Sequence, residues 1–114
     1  MTLAEQDSNS SRDVVYHLLQ LSLLPNKRPT ADALAQHAAH LKELDQQGKL
    51  VLAGPFLGRF GGLIVLRTVS VAEAKRIADE DPMIRGGFQS YDLIPWAQAS
   101  GNNNYQPDLS GAIK

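Results

Sequence analysis

Apolar residues recur with the two-residue period of a β-strand in four segments of the chain. Two of these segments, 14–23 and 62–69, are apolar on both alternating faces, which favours central strands covered on both sides. The other two, 50–53 and 88–96, are expected to form the edges. A hairpin loop is predicted over 56–61, between the second and third strands.

Two helices are predicted between the strands from their capping signals. Thr30 is placed to cap a helix that runs to about Gln47, and Gly48 follows as a stop signal. Ser70-x-x-Glu73 has the spacing of a capping box and opens a second helix, which Pro82 ends.

The resulting order, β-α-β-β-α-β, predicts a ferredoxin-like α+β domain with an antiparallel sheet and both helices on one face. The helices cover only one face, whereas the central strands are apolar on both. We therefore expect the open face to pair with a partner, most simply a second copy in a two-fold homodimer with a dimeric α+β barrel-like assembly.

Composition narrows the function classes. The 114 residues have the length of one domain, and 11 basic against 12 acidic residues argue against a nucleic-acid binder. The absence of cysteine excludes disulfides, thiolate catalysis and cysteine-ligated metals. No apolar run approaches the ~20 residues of a membrane span, and the N-terminus lacks the apolar core of a secretory signal. These features predict a soluble, cytoplasmic protein without a membrane partner.

The domain is expected to span 12–97, without internal repeats. Residues 1–11 are polar and predict a flexible N-terminal arm, and residues 98–114 predict a polar C-terminal tail. Tyr105, Leu109 and Ile113 leave room for the tail to dock on a neighbour.

The topology brings three segments to one edge of the sheet: the first half of helix one, the loop 54–61 and the turn 79–87. A ligand site is expected at this edge. The candidate ligand-contacting residues there are Pro55, Phe56, Arg59, Arg85, Phe88 and Tyr91. Surface charge for the arginines and packing for the aromatics are the alternative interpretations.

His37 is the first candidate for chemistry. It shares a helical face with Leu34, Ala38, Leu41, Leu44 and Asp45, which is predicted to face the sheet, whereas His40 is predicted on the wetter face. A half-buried imidazole needs hydrogen-bond partners, and a core histidine satisfied by its neighbours is the alternative to a functional one.

The second helix ends in Asp79, Glu80 and Asp81, which face the negative end of the helix dipole. A cation or hydrogen-bond donor at the same edge would offset the unfavourable electrostatic energy of these carboxylates, and the candidates are His37, Arg59 and Arg85. Alternatively, Asp79 and Glu80 are solvated and Asp81 only caps the following turn. A His37–Asp81 pair could orient the imidazole and leave its second nitrogen to transfer a proton.

A metal site is not expected. His37-x-x-His40 would supply only half of a tetrahedral shell, and nothing in the sequence brings His17 to it. No cofactor is expected either.

Several motifs in order resemble the YCII-related domain family. They are His37-Ala-Ala-His-Leu41 with Leu44, Gly48-Lys-Leu-Val-Leu-Ala-Gly-Pro55, Gly61-Gly62, Ser70-x-x-Glu73-Ala74, Asp81-Pro82, Gly87 and Pro95-Trp96. The resemblance spans about Asp13 to Trp96. Two positions depart from residues common in the family: Leu34 replaces an arginine three residues before the histidine, and Met83 replaces an aromatic residue.

The resemblance implies a ferredoxin-like dimer with a pocket on each subunit and a His–Asp pair that falls on His37 and Asp81. One member of the family removes chloride from a chlorinated hydroxyhydroquinone, which implies acid/base elimination or isomerisation on a small, cyclic or aromatic substrate. The rival hypothesis is a non-catalytic dimeric module that binds a small molecule. Oxygenases on a similar fold form a third class, because fold does not settle function.

Overall fold

The computed structural model describes residues 14–109. The predicted N-terminal arm, 1–11, and Ile113 of the predicted tail lie outside the described residues. The strands are β1 (Val15–Leu23), β2 (Leu50–Pro55), β3 (Gly62–Leu66) and β4 (Gln89–Ala97). The helices are α1 (Ala31–Gln46), α2 (Val71–Glu80) and the four-residue α3 (Pro82–Arg85), and a 3₁₀ turn follows at Gly101–Asn103.

The strands form one four-stranded antiparallel sheet in the order β2-β3-β1-β4. This confirms the predicted α+β, ferredoxin-like arrangement with the first and third strands in the centre. The short helix α3, which the sequence pattern had not indicated, follows α2 directly. The dimeric assembly stays a prediction.

Both predicted helix starts are capped by the expected side chains. Thr30 Oγ1 accepts the backbone N–H of Ala33 at 3.0 Å, and Ser70 Oγ accepts that of Glu73 at 3.1 Å. The Glu73 carboxylate accepts the N–H of Val69 at 2.9 Å, one residue earlier than a capping box requires. Each cap satisfies a donor that the first turn of a helix leaves unpaired.

The buried face of α1 is rotated from the predicted one. Ala33 and Leu44 are buried and His37, His40 and Leu41 are half-buried, whereas Leu34 is 50% exposed. His40 is therefore not on the wetter face, and its Nε2 donates to the carbonyl of Ile77 on α2 at 3.2 Å. The difference arises because α1 packs against α3 and β2, so neighbours other than the sheet centre select the face that is covered.

The core lies between the sheet and the helices. The inward residues of the central strands pack against α1 and α2 in one cluster: Leu19, Leu21, Ile64, Leu66, Leu44, Ala74, Ile77 and Ala78. No helix among residues 14–109 is long and apolar enough to span a membrane.

After β4, the first part of the predicted polar tail is locally structured. Ser100 Oγ accepts the N–H of Asn102, and the Asn103 side chain contacts both the N–H of Ser100 and the carbonyl of Gln98. Tyr105 and Leu109 are exposed. Side-chain to backbone bonds thus add to the local backbone hydrogen bonds of a segment that has no apolar period.

Candidate active site

Asp81 occupies the junction at which α2 ends and α3 begins. Its N–H donates to the carbonyl of Ala78 at 3.1 Å, and its Oδ1 accepts the N–H of Met83 at 2.9 Å. Pro82 takes the first position of α3, where its missing N–H costs nothing. Asp81 is 2% exposed, so two helix ends hold a buried carboxylate in one position.

The imidazole of His37 contacts this carboxylate directly. His37 Nδ1 lies 2.8 Å from Asp81 Oδ2 and 2.9 Å from Oδ1. A carboxylate can only accept, so Nδ1 carries the proton and donates it, and in the neutral ring the lone pair is on Nε2. No side chain or backbone group in the described part hydrogen-bonds Nε2.

Asp81 has no lysine or arginine within ion-pair distance among residues 14–109, and its nearest basic side chain is His37. Arg59 lies over the ring of Phe56 at 5.1 Å, and Arg85 is exposed, so neither offsets this charge. A buried carboxylate is costly unless it is hydrogen-bonded and paired. Its stabilisation therefore depends on the N–H of Met83 and on the imidazole of His37.

Asp79, the other aspartate of the acidic helix end, is bound elsewhere. Lys75 Nζ lies 2.6 Å from its Oδ2, and the hydroxyl of Tyr91 donates to its Oδ1 at 2.7 Å. Both hydrogen bonds lower the pKa of Asp79, and the bond from Lys75 has the larger effect. The two acids thus have separate partners, and only Asp81 is next to a histidine.

His37 lines a cavity of about 420 Å³ between α1 and the β2–β3 end of the sheet. Its walls are apolar side chains together with two short backbone stretches: Leu21, Leu34, Leu41, Ile64, Met83, Gly54-Pro55 and Gly61-Gly62. This volume is in the lower part of the range for small-molecule sites. Among the described residues, His37 and Gln89 are the only polar side chains on the wall.

The other predicted ligand-contacting residues are divided between several places. Pro55 lines the cavity with His37, but Phe56 and Arg59 do not. Arg85 and Phe88 line a separate cleft beside Thr30 and Asp32.

The remaining aromatic candidates, Phe88 and Tyr91, do not line the cavity and have contacts elsewhere. Lys27 Nζ donates to the carbonyl of Gly86 and lies 4.9 Å from the centre of the Phe88 ring. Tyr91 bonds Asp79, as described above.

Gln89 is the cavity residue that sequence reasoning missed. Its side-chain Oε1 is buried and has no hydrogen-bond partner. An unpaired buried acceptor costs about 1–3 kcal/mol. The sequence contained a signal, because Gln89, Tyr91 and Leu93 are alternate residues of β4 and therefore point to the same face of the sheet. Tyr91 and Leu93 pack against the core, so Gln89 is a polar residue at an inward position.

A second buried histidine lies away from the cavity. His17 is 5% exposed and its Nδ1 is 2.8 Å from Thr68 Oγ1. Burial lowers the pKa of His17, and the nearby charge of Glu73 opposes that shift. Residues 14–109 contain no group of three or more His, Asp or Glu side chains that could hold a metal ion.

Known proteins resemble this chain in sequence and in fold. It is 28% identical over 82 residues to the uncharacterized protein YjpA of Bacillus subtilis strain 168, covering 72% of this chain and 95% of YjpA. The fold is similar to 5-chloro-2-hydroxyhydroquinone dehydrochlorinase (TftG) of Burkholderia phenoliruptrix AC1100 in complex with 2,5-dihydroxybenzoquinone. That match has a TM-score of 0.59 and 20% identity, and covers 77% of this chain and 98% of the dehydrochlorinase chain.

The family assignment rests on a match over most of the chain. The model of the YCII-related domain matches residues 12–97, which contain all four strands, the three helices, His37 and Asp81. The chain belongs to the YCII-related domain family.

Proposed function

We propose that this protein is a small acid–base enzyme that needs no cofactor and catalyses an elimination or isomerisation of a small cyclic or aromatic substrate. His37 transfers the proton and Asp81 positions it. The observation that carries the proposal is the bond of His37 Nδ1 to a buried carboxylate at 2.8 Å, on the wall of an apolar cavity, with Nε2 unpartnered.

The chemistry follows from the two nitrogens of the ring. With Nδ1 donating to Asp81, Nε2 of the neutral imidazole takes a proton from a bound substrate, and the carboxylate stabilises the imidazolium that forms. In an isomerisation the same nitrogen returns the proton to another atom. In an elimination the electron pair left behind moves into the ring, and the leaving group departs with its bonding electrons. A positioned acid–base group contributes about 10²–10⁴ to the rate.

The cavity supports a small and largely uncharged substrate. Its walls come from leucine, isoleucine and methionine side chains, and no lysine or arginine in the described part of the chain lines it. Leu34 stands at its rim, half-exposed. The fold similarity to a dehydrochlorinase that binds 2,5-dihydroxybenzoquinone agrees with a substrate of this size.

The test is turnover by matched histidine variants. The wild-type protein is screened against hydroxylated and chlorinated six-membered rings, including 5-chloro-2-hydroxyhydroquinone, by chloride release and ultraviolet absorbance. His37→Asn should lower turnover at least about 100-fold, because the acid–base group is gone. His40→Asn is the control, since His40 lies on the same helix, is also half-buried and bonds Ile77 instead of Asp81.

Turnover that survives His37→Asn at the wild-type rate would refute the proposal. Tight binding of ring compounds by the wild type with no turnover of any of them would favour the rival function, a module that binds a small molecule without changing it.

We also propose that two copies pair through the open face of the sheet. Leu52, Val65, Leu18 and Ile94 occupy one row across all four strands on the face away from the helices. Leu52 at one edge of the sheet is 69% exposed and Ile94 at the other edge is 42% exposed, whereas Val65 between them is 4% exposed. Trp96, in contact with Tyr16 at a ring distance of 6.3 Å, extends this apolar face. An apolar face of this kind favours a self-complementary two-fold contact.

A further inference from the structure

Part of the apolar face of α1 lines the cavity and is left uncovered by the rest of the chain. Leu34, Ala38 and Leu41 are spaced at i, i+4 and i+7, so they form one stripe along the helix. Leu41 is half-buried and packs against the core cluster, Ala38 is exposed, and Leu34 is 50% exposed. The stripe therefore runs from the core outward, and Leu34 is its solvent end at the mouth of the cavity.

The wall that faces this stripe is also apolar and uncovered. It comes from the end of β2, where Ala53, Gly54 and Pro55 are exposed and line the same cavity. Single exposed apolar side chains are common on protein surfaces, but two facing apolar walls form a groove of the kind that binds ligands. His37 belongs to the α1 wall, one helical turn from Leu34.

The charges around the cavity disfavour an anion. Among residues 14–109, no lysine or arginine lines it. The ionisable pair at its wall, His37 with Asp81, is neutral when the imidazole is protonated and negative when it is not. A carboxylate bound between the apolar walls would lose hydration without gaining a cation, which is unfavourable.

We propose that Leu34 is a specificity-determining residue, whose side chain contacts an apolar substituent of the ring bound in the cavity and disfavours a carboxylate at that position. The inference rests on the proposed function and narrows its substrate class to uncharged rings that carry a halogen or a small alkyl group at the mouth of the cavity. Leu34 contacts the substrate in this arrangement but takes no part in proton transfer.

Paired phenols test this selection. 4-Chlorophenol carries an apolar substituent, and 4-hydroxybenzoate has a carboxylate in its place; the 3-substituted isomers form a second pair. Dissociation constants are measured by NMR titration of the isotopically labelled protein, a method that reaches millimolar affinities. The wild type should bind at least one chlorophenol about tenfold more tightly than the matching hydroxybenzoate, because the carboxylate finds no cation at the apolar walls.

An arginine at the mouth should change this preference. Leu34→Arg should raise the affinity for the matching hydroxybenzoate about tenfold, since the guanidinium donates a charge-assisted hydrogen bond to the carboxylate. Ala35→Arg is the matched control, because Ala35 is exposed on the same turn of α1 but does not line the cavity. It adds the same charge and should keep the preference of the wild type.

A shorter side chain tests the apolar contact without a change of charge. Leu34→Ala should weaken the binding of the chlorophenol about fourfold, the equivalent of one buried methylene group, and leave the affinity for the hydroxybenzoate unchanged. Since Leu34 is half-exposed, both of its variants should fold, and thermal unfolding of each variant without ligand checks this.

The proposal is overturned if the wild type binds the hydroxybenzoates as tightly as the chlorophenols, or binds neither. It is also overturned if Leu34→Arg and Ala35→Arg have equal effects, or if Leu34→Ala binds the chlorophenol like the wild type. None of these results depends on turnover, so each is distinguishable from a failure of the acid–base function. A chlorophenol preference that depends on Leu34 in a protein without turnover would support the role of Leu34 and refute the acid–base function alone.

Discussion

Replacement of Asp81 by asparagine should reverse the tautomer of His37 while leaving the fold intact. In the native protein Oδ1 accepts the N–H of Met83 at 2.9 Å, and Oδ2 lies 2.8 Å from His37 Nδ1. Asparagine has one oxygen and one NH₂ group for these two places. If its oxygen keeps the Met83 bond, its NH₂ group faces Nδ1, which must then accept. The ring proton moves to Nε2, which can no longer act as a base.

The helix cap decides between the two orientations of the amide. The reversed orientation would place the NH₂ group against the N–H of Met83, where two donors meet. This loses the N-cap of α3, worth about 1 kcal/mol, and leaves a buried donor unpaired at about 1–3 kcal/mol. The orientation that inverts the imidazole is therefore favoured. Turnover should fall about 10⁴-fold, the loss found when a base is held in the wrong tautomer. Stability should change little, because asparagine is also a good N-cap.

The tautomer can be observed without a substrate. Nitrogen-15 NMR of the neutral imidazole should show the proton on Nδ1 in the wild type and on Nε2 in Asp81→Asn. Turnover and urea unfolding are measured on the same samples. Asp79→Asn is the control, because Asp79 bonds Lys75 and Tyr91 and does not touch His37. A proton that stays on Nδ1 in Asp81→Asn, or turnover within tenfold of the wild type, would refute the reasoning.

Three further predictions concern stability and assembly. Burial lowers the pKa of His17 in the folded protein from its ordinary value of 6.5. Below about pH 6.5 the unfolded chain therefore binds a proton at His17 more readily than the folded protein does, and the free energy of unfolding decreases as the pH is lowered. His17→Gln, which can still bond Thr68, should weaken this dependence in urea unfolding between pH 7.5 and 5. Ile94→Asp should convert a dimer into monomers in sedimentation velocity, because it buries a charge in the proposed interface. Ser70→Ala should lower the free energy of unfolding by about 1 kcal/mol, through loss of the α2 cap.

Each of these predictions has a contrary result. An unchanged pH dependence in His17→Gln would mean that another group titrates on unfolding. A wild-type protein that sediments as a monomer, or an Ile94→Asp variant that remains dimeric, would exclude the open face as the interface. A Ser70→Ala variant as stable as the wild type would mean that solvent replaces the cap.

Much of the fold was predictable from short-range pattern. The two-residue period located β1 and β3 and showed that both were apolar on two faces, which is why they are central. Thr30 and Ser70 marked two helix starts, because an N-cap bonds a donor only two or three residues away. The position of Asp81 just before a proline was likewise visible in the sequence, although its double role at α2 and α3 was not.

Long-range packing decided the rest. His37 and Asp81 are 44 residues apart, and only the packing of α1 against α3 sets the 2.8 Å contact between them. The same packing turned α1 so that His40 contacts Ile77. The helical period predicts the position of the apolar face of a helix only to within about one residue, and the neighbouring elements decide which side of that face they bury. The alternation of residues along β4 predicted that Gln89 points inward, but only the tertiary structure shows that its buried Oε1 has no hydrogen-bond partner.

The sequence by itself therefore determined the elements, their order and the residue types available for chemistry, since these depend on periods and caps spanning a few residues. The tertiary structure decided which side chains share a cavity. Phe88 and Arg85 lie close to Asp81 in the chain, yet they line a different cleft, whereas Gln89 lines the cavity with His37. The physical reason is that a side chain's surroundings in a packed core are set by residues distant in sequence, which local pattern does not specify.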